Sequence, residues 1–266
     1  MNPPSDVSLE GRIALVTGAA RGIGAATASA LAQRGAHVVL LARNAEALEQ
    51  LAESIRDAGG SADTLVADLL EGEADEIVAT VLERQGRLDV LVNNAGMVGP
   101  FGPTLAQEPK AWRDALTLNV FVPASLTMAA APGMVERGFG RIVNMSSGAA
   151  RSAMPNLGPY SASKAALEMH TSQLGAELGD GPVRATAVDP GPVDTDMFGS
   201  VLGAGTDGVG ETVHGAFSEM RDQGQVTRPE QPGALVAAIA AADDPSLQGA
   251  LVALGDERAS ALVAGA

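Results

Sequence analysis

Short apolar runs alternate with alanine- and leucine-rich segments along most of this 266-residue chain. The apolar runs predict buried strands at Ile13–Thr17, His37–Leu41, Thr64–Ala67, Leu88–Asn93, Arg141–Met145, Arg184–Val188 and about Ala250–Leu254. The segments between them, such as Ile23–Arg34 and Ala45–Asp57, have helical periodicity, and a last helix is expected at about Gln231–Ala242. This alternation predicts an α/β fold with one parallel sheet and helices on both of its faces.

The predicted domain organisation is simple. A chain of this length commonly forms one α/β domain, and we expect residues 9–266 to form it after a flexible tail at residues 1–8. Between about residues 191 and 225 the periodicity is lost, and Gly, Asp, Thr and Ser accumulate. Long irregular segments in compact domains are usually functional or disordered, so this segment is predicted to be a mobile lid over a substrate.

The composition excludes several kinds of site and partner. A formal net charge of -15 disfavours nucleic acid, because attraction to phosphates needs clustered Lys and Arg. The absence of cysteine removes disulfides and thiolate ligands, and no metal site is expected. The first eight residues lack an apolar core, and no apolar run approaches the roughly 20 residues of a bilayer span. We therefore expect a cytoplasmic protein with no membrane partner.

A glycine-rich turn joins the first predicted strand to the first helix. It reads Gly18-Ala19-Ala20-Arg21-Gly22-Ile23-Gly24, with the spacing G-x-x-x-G-x-G. Glycines let the backbone approach a ligand closely, and the free N–H groups and dipole of the helix favour negative charge. The turn suits the pyrophosphate of a dinucleotide in a doubly wound, Rossmann-type sheet, although alone it also fits an ordinary tight turn.

The end of the second strand indicates which dinucleotide is bound. NAD-binding chains usually carry Asp or Glu there to bind the ribose hydroxyls. This chain has Ala42-Arg43-Asn44 instead, and Arg43 and Arg21 can both pair with a 2′-phosphate. We therefore expect a preference for NADP(H), the alternative being that both arginines are solvated surface charges.

Tyr160 and Lys164 lie four residues apart, and so on one face of a helix that Pro159 can begin. A neutral phenol is a poor base with an ordinary pKa of about 10, and a nearby ammonium lowers that pKa. Tyr160 is also the only tyrosine of the chain. The pair is a candidate for proton transfer, although a helix tyrosine beside a solvated lysine is a common arrangement.

Two further polar positions are candidates for substrate contact. Ser146 and Ser147 follow a predicted strand, at the edge where parallel sheets bind ligands. A hydroxyl there can bind a carbonyl or, more frequently, cap a turn. Asn119 is a polar amide in an apolar helical stretch, and alone it suggests a structural hydrogen bond.

Together these motifs resemble the short-chain dehydrogenase/reductase family, in the subgroup that includes the 3-oxoacyl-acyl-carrier-protein reductases. The resemblance covers nearly the whole chain, in family order: Thr17-Gly18-x-x-x-Gly22-x-Gly24, Asp68-Leu69, Asn93-Asn94-Ala95-Gly96, Asn119, Ser147, Tyr160-x-x-x-Lys164 and Pro190-Gly191. The separations of 28 residues from Asn119 to Ser147 and of 13 from Ser147 to Tyr160 also match, and they favour Ser147 over Ser146.

The resemblance implies a role for each residue. Tyr160 is the general acid in reduction, and Ser147 orients the carbonyl. Lys164 holds the ribose and lowers the tyrosine pKa, and Asn119 positions a water in the proton relay. Asp68 and Leu69 flank the adenine, and Val193 and Thr195 meet the nicotinamide carboxamide. The implied cofactor contacts are Gly18, Arg21, Gly22, Ile23, Gly24, Arg43, Asp68, Leu69, Asn94, Ala95, Gly96, Tyr160, Lys164, Pro190, Gly191, Val193 and Thr195.

Two features depart from the commonest family pattern. Asp189 precedes Pro190 where a neutral residue is frequent, and Gln248–Asp256 replaces an ending that commonly helps to build a tetramer. The resemblance implies a homotetramer or a homodimer. The three histidines, His37, His170 and His214, match no family site and are expected to be structural or surface residues.

The predicted activity is hydride transfer between NADP(H) and a small-molecule ketone or secondary alcohol, with a 3-oxoacyl thioester as one candidate. The apolar residues near Met97–Phe101 and Met154–Leu157 favour an uncharged or weakly polar substrate body. The alternative is a non-catalytic dinucleotide-binding sensor or regulatory protein. A sensor would not need the four candidate catalytic residues, so their joint presence favours catalysis.

Overall fold

The computed structural model describes residues 5–6 and 8–265. Its strands are β1 (Ser5–Asp6), β2 (Ile13–Thr17), β3 (His37–Ala42), β4 (Ser61–Val66), β5 (Val90–Asn93), β6 (Gly140–Met145), β7 (Val183–Asp189), β8 (Ala242–Asp243) and β9 (Ala250–Ala253). Its α-helices are α1 (Gly22–Gln33), α2 (Ala45–Asp57), α3 (Ala74–Gln85), α4 (Pro109–Leu116), α5 (Val122–Glu136), α6 (Gly158–Leu178), α7 (Asp196–Gly203), α8 (Gly205–Asp222), α9 (Glu230–Ala241) and α10 (Glu257–Ala264). Short 3-10 helices lie at Thr104–Ala106, Gly148–Ala150 and Pro245–Leu247, and a π-helical turn lies at Thr117–Phe121.

The main sheet is parallel, with the strand order β4-β3-β2-β5-β6-β7-β9. The order reverses between β2 and β5, which confirms the predicted doubly wound sheet. Ligands bind in such sheets beside the reversal, outside the carboxyl ends of the strands. In this chain Gly18 follows β2 and Asn94 follows β5, so both border that crevice.

Both faces of the sheet are covered by apolar helices. Successive side chains of a strand point to opposite faces, and in β2 Leu15 belongs to one buried cluster and Val16 to another. Helices α3 and α5 contribute to the cluster of Leu15. Helices α1, α2, α9 and α10 contribute to the cluster of Val16. The strands are therefore apolar on both sides, which explains why the sequence shows them as continuous apolar runs.

The edge strand β4 differs from its prediction. It begins at Ser61, three residues before the predicted start, and its first residues pair with His37, Val38 and Val39 of β3. Several side chains of β4 are exposed because the strand has a neighbour on one side only. The polar exposed residues interrupt the apolar run, and the sequence pattern therefore missed the first half of the strand.

Part of the predicted N-terminal tail is paired. Ser5 and Asp6 form β1, antiparallel to Ala242 and Asp243 of β8. Residues 1–4 and 7 lie outside the described residues, so the flexibility of the tail stays a prediction.

The segment at residues 191–225 is mostly helical, rather than irregular as expected. Thr195 caps α7 by accepting the N–H of Phe198 at 3.3 Å. In α8, Gly210 has a φ of 80° and produces a kink, where a Cβ would lie 2.7 Å from Nδ2 of Asn156. The buried residues Val209 and Val213 have helical spacing, but the many glycines around them kept the sequence pattern from indicating a helix.

One apolar helical stretch, Pro109–Glu136, runs through α4, the π-helical turn and α5. By length and composition alone it could cross a membrane, and it is the only such helix among the described residues, but core helices of soluble proteins pass the same test. One face of α5 packs on the sheet through residues such as Leu126 and Met134. The opposite side of the helical stretch exposes Phe121 of the π-helical turn and Met128 and Val135 of α5, at intervals of seven residues, and we call these three residues the apolar stripe.

Gly24 offers a test of the close approach between α1 and the glycine turn. A Cβ at this position would lie 2.3 Å from the carbonyl oxygen of Gly18 and 2.6 Å from Nδ2 of Asn94. We expect Gly24→Ala to lower the free energy of unfolding by about 2 kcal/mol, measured by urea denaturation, because the backbone must shift. The control is Gly215→Ala, since Gly215 lies in α8 with no heavy atom within 4 Å of its added Cβ. The control should be neutral or stabilising by up to about 1 kcal/mol, and equal destabilisation by both variants would contradict the expectation.

Candidate active site

The turn between β2 and α1 leaves the start of the helix open to a ligand. Gly18 and Gly22 have positive φ angles of 65° and 56°. Arg21 occupies the position before α1, and its side chain makes no capping hydrogen bond. The first N–H groups of α1 therefore lack a side-chain acceptor from the capping residue, and N–H groups so placed bind phosphate.

Thr17 and Asn94 hold this turn against the end of β5. The hydroxyl oxygen of Thr17 accepts the N–H groups of Asn94 and Ala95, both at 3.0 Å. The Asn94 side chain donates to the carbonyl of Thr17 at 2.9 Å and to that of Gly18 at 3.3 Å. Asn94 therefore fixes the two strand ends that border the crevice, while its contact with a cofactor stays a prediction.

The two arginines predicted to bind a 2′-phosphate each lie beside a carboxylate. Arg21 Nη1 is 2.8 Å from Oδ2 of Asp196, and Arg43 Nη1 is 3.5 Å from Oδ2 of Asp68. The arginine side chains are 76% and 73% exposed, respectively. Exposed ion pairs contribute about 1 kcal/mol or less, so a phosphate can replace either carboxylate.

Leu69, one of the two residues predicted to flank an adenine, has a buried side chain. Its side chain is buried in the cluster shared with α3 and α5. Its contact with an adenine stays a prediction, and the Asp68 carboxylate is partly exposed beside it.

Ser146 and Ser147 have different partners. Ser147 accepts the N–H of Ala149 at 3.2 Å, and its hydroxyl lies close enough to Tyr160 to lower the pKa of that residue. The Ser146 hydroxyl instead donates to Oε1 of Glu168 at 2.6 Å. The structure thus brings Ser147, and not Ser146, to Tyr160.

Tyr160 is nearly enclosed, with 8% of its surface exposed. Burial raises the pKa of its hydroxyl above 10.0 because the phenolate loses hydration. The hydrogen bond from Ser147 lowers this pKa, and the negative charge of Asp189 raises it. The sequence predicted a lowered pKa from the proximity of Lys164, and the structure shows the reverse because burial is the largest influence.

Lys164 lies one helical turn after Tyr160 on α6 and is buried. Its Nζ donates to the carbonyl of Met145 at 2.7 Å, and it lies 5.8 Å from the centre of the Tyr160 ring. Burial lowers the pKa of this ammonium from 10.5 to about 8. A Cβ on Gly96 would be 3.6 Å from Nζ, so Lys164 lies between the ends of β5 and β6.

Asn119 is fully buried in the π-helical turn. Its Nδ2 donates to the carbonyl of Met97 and to the hydroxyl of Ser163, both at 2.9 Å. Its Oδ1 accepts the N–H of Met97 at 2.9 Å. The amide thus joins the segment after β5 to α6. Because both polar groups of this amide already have partners, its positioning of a water stays a prediction.

A family comparison gives this geometry its context. Residues 12–203, most of the chain, match the family model for the short chain dehydrogenase. The chain belongs to the short-chain dehydrogenase family. This result confirms the resemblance found in the sequence motifs.

Relatives within the family have varied substrates in their names. The chain is 35% identical to 2,3-dihydro-2,3-dihydroxybenzoate dehydrogenase of Bacillus subtilis over 214 residues, 80% of this chain and 81% of the relative. Among solved structures, gluconate 5-dehydrogenase of Burkholderia cenocepacia in complex with NADP and tartrate is 30% identical with a TM-score of 0.81, covering 92% and 94% of the two chains. An NAD+-bound xylitol dehydrogenase is 28% identical with a TM-score of 0.83, covering 92% and 98%.

Short-chain dehydrogenases bind a nicotinamide dinucleotide, and the crevice of this chain fits one. A Cβ on Gly24 would collide with Gly18 and Asn94, so this glycine lets α1 begin close against the turn that a pyrophosphate would approach. The uncapped start of α1 suits the pyrophosphate, and Lys164 provides an ammonium further along the same strand ends. These residues, with Asp68 and the segment after β7, are the ones that would hold the cofactor.

The predicted nicotinamide segment after β7 lies against the glycine turn. The Gly191 N–H donates to Oδ1 of Asp189 at 3.0 Å, and Val193 is buried. A Cβ on Gly22 would be 3.2 Å from Cγ2 of Thr195. The structure therefore brings this segment and the pyrophosphate turn together at the crevice.

The remaining candidates lie elsewhere. His37 bonds to Ser61 at 2.7 Å, at the amino ends of the strands, and His170 and His214 lie on α6 and α8. Within residues 5–6 and 8–265, no group of three or more His, Cys, Asp or Glu side chains is placed to hold a metal ion.

Sequence reasoning missed an ion cluster beside Tyr160. Arg151 forms ion pairs with Glu168 of α6 and with Asp189 of β7, and we call these three residues the Arg151 cluster. The unusual Asp189 before Pro190 was the one signal of it in the sequence. Its partners are 17 and 38 residues from Arg151, and no local pattern connects them.

Proposed function

We propose that this chain is an NADP(H)-dependent carbonyl reductase, which transfers a hydride between nicotinamide and a ketone or secondary alcohol. The observation that carries the proposal is the arrangement of Ser147, Tyr160 and Lys164 at the carboxyl ends of the strands, beside an open helix start. When bound, the nicotinamide supplies or accepts the hydride, and the protein supplies position and charge.

Proton transfer is the task of Tyr160 in this proposal. Its raised pKa keeps the hydroxyl protonated at neutral pH, so in reduction it donates a proton to the carbonyl oxygen. Ser147, whose hydroxyl lies near that of Tyr160, donates to the same oxygen and orients it. The Lys164 ammonium stabilises the phenolate that is left, at a distance where burial makes its charge effective.

The apolar surroundings of Tyr160 support both a lid over the site and an apolar class of substrate. Its cluster comprises Val98, Ala149, Leu157, Tyr160, Val201, Val209 and Val213, with Phe101, Met154, Met197, Ala204 and Phe217 packed against it. Three of these valines come from α7 and α8, which supports a role of residues 191–225 as a lid over Tyr160. An apolar lining favours an uncharged or weakly polar ketone, among which a 3-oxoacyl thioester remains a candidate.

A dinucleotide sensor is the second candidate function, and it would bind cofactor without turnover. The proximity of Ser147, Tyr160 and Lys164 favours catalysis over sensing, because binding alone does not need a proton donor beside a second hydroxyl. A cytoplasmic location, a single domain at residues 9–266 and the absence of nucleic acid and membrane partners stay predictions.

The function is tested by NADPH oxidation with acetoacetyl thioesters and with simple, cyclic and diketone substrates. Tyr160→Phe should lower kcat by about 100-fold or more because no group donates the proton. Ser147→Ala should also lower kcat strongly, because the carbonyl loses its orienting donor. The matched control is Ser146→Ala, since that hydroxyl bonds to Glu168, and it should retain most of the rate. Full activity of Tyr160→Phe would refute the mechanism, and tight NADPH binding without turnover by the unchanged protein would favour the sensor.

The NADP(H) preference is tested at Arg21 and Arg43. Arg43→Ala and Arg21→Ala should each weaken NADPH binding by about tenfold, because each removes a charged hydrogen bond to the 2′-phosphate. NADH binding, followed by the same nicotinamide fluorescence, should change little. Arg84→Ala serves as control, because Arg84 lies at the far end of α3 and donates to Thr64. Equal weakening of NADH and NADPH would contradict the assignment.

We also propose that the chain forms a homodimer or homotetramer through the apolar stripe. Phe121, Met128 and Val135 are 63%, 66% and 46% exposed, and solvent-exposed apolar rows of this kind mark protein interfaces. Met128→Glu should reduce the mass found by light scattering, because it places a charge in the interface. Leu105→Glu changes a fully exposed apolar residue outside the stripe and should leave the mass unchanged. A monomeric mass for the unchanged protein would exclude the proposal.

A further inference from the structure

The Arg151 cluster connects the elements that carry the proposed catalytic groups. Arg151 follows the 3-10 helix that begins just after Ser147. Its guanidinium pairs with Glu168, which lies on the same helix as Tyr160 and Lys164. It also pairs with Asp189, the last residue of β7, immediately before Pro190-Gly191.

The two carboxylates have distinct second partners. Glu168 accepts the hydroxyl of Ser146 at 2.6 Å, and so it also binds the end of β6. Asp189 accepts the N–H of Gly191 at 3.0 Å, and so it fixes the first turn of the predicted nicotinamide segment. Both carboxylates are largely buried, with side-chain exposures of 18% and 10%, whereas Arg151 is 41% exposed.

Asp189 is the carboxylate of the cluster that acts on Tyr160. Its negative charge disfavours the phenolate and contributes to the raised pKa of Tyr160. A buried carboxylate without a cation would exert this effect more strongly, because its field is less compensated. Arg151 is the cation in contact with Asp189.

We propose that Arg151 is a positioning residue of the reaction, which holds the Ser147 turn, the Tyr160 helix and the Pro190-Gly191 segment in one arrangement and compensates the charge of Asp189 next to Tyr160. The inference rests on the proposed role of Tyr160 as the proton donor. It assigns a function to the unusual Asp189, whose charge is otherwise unfavourable beside a group that must ionise.

The other charged groups on the elements around Tyr160 either form hydrogen bonds with other residues or are at least partly exposed to solvent. Lys164 on the same helix donates to Met145, and Asn119 of the π-helical turn is uncharged. On α4, Lys110 pairs with Asp114 at 2.6 Å and Arg113 is exposed. On α8, Asp207 and Glu211 are exposed and His214 is half-buried.

The single tyrosine makes the test direct, because the ultraviolet absorbance of tyrosinate in this chain reports Tyr160 alone. The titration uses the full chain without an added tyrosine, with circular dichroism at each pH to restrict the data to folded protein. Arg151→Met should move the Tyr160 midpoint upward by about one pH unit, because Asp189 loses its cation. Asp189→Asn should move it downward, and Arg151→Met with Asp189→Asn should reverse the upward shift.

Glu168→Gln is the matched control for Asp189→Asn. Both changes remove one negative charge and one partner of Arg151, but Asp189 is the partner whose charge reaches Tyr160. We expect Glu168→Gln to leave the midpoint within about 0.3 pH unit of that of the unchanged protein. Arg151→Lys keeps the positive charge but cannot pair with Glu168 and Asp189 at the same time. Its Tyr160 midpoint should therefore equal that of the unchanged protein, while its kcat should be lower.

Activity provides the second readout. In alcohol oxidation Tyr160 must be deprotonated, so the rate increases with pH, and the midpoint of this increase should shift in the same directions as the titration. Coincident midpoints for Arg151→Met and the unchanged protein would overturn the inference, as would equal shifts for Asp189→Asn and Glu168→Gln. If the unchanged protein shows no turnover, the proposed function fails, but the absorbance titration still decides whether Arg151 compensates Asp189.

Discussion

The apolar packing on both faces of the parallel sheet determines where polar chemistry can occur in this protein. Helices cover the two faces completely enough that Leu15 and Val16, neighbours in one strand, are both fully buried. The polar side chains of the candidate site therefore gather beside the strand ends, whether they come from the loops there or, like Tyr160 and Lys164, from a helix that passes them. The carboxyl ends of β2, β5, β6 and β7 carry the glycine turn, Asn94, Ser147 and Asp189, so one edge of the sheet holds the whole site.

Burial shapes the chemistry of the site as strongly as the identity of its residues. Burial in a cluster that includes valines of α7 and α8 raises the pKa of Tyr160, and burial also lowers that of Lys164 to about 8. The two shifts have the same origin, because each charged form loses hydration. Their consequences differ. The Tyr160 hydroxyl keeps its proton more firmly than in water, whereas the Lys164 ammonium loses its proton more easily than in water.

Local patterns predicted the central sheet, the glycine turn and the tyrosine helix, because each depends on residues that are close in sequence. The choice of Ser147 depended on a spacing of 13 residues, and its contact with Tyr160 agrees with that choice. The predictions were less successful where distant residues decide the outcome. The buried valines of α7 and α8 pack in one cluster with Tyr160, the raised pKa of Tyr160 depends on its burial, and the Arg151 cluster joins three separate elements. Exposed edge residues concealed the start of β4 for a related reason, since their polarity reflects the missing neighbour.

The ion pair between Arg21 and Asp196 links two parts of the site that have different ligands. Arg21 belongs to the glycine turn, and Asp196 is the first residue of α7 in the proposed lid. An anion that binds Arg21 competes with Asp196, and so it favours positions of α7 in which this ion pair is broken. By reciprocity, α7 held in its present position weakens the binding of that anion. In the proposed function, one exposed pair of charges would therefore couple cofactor binding to the position of the lid, by no more than the roughly 1 kcal/mol that such a pair contributes.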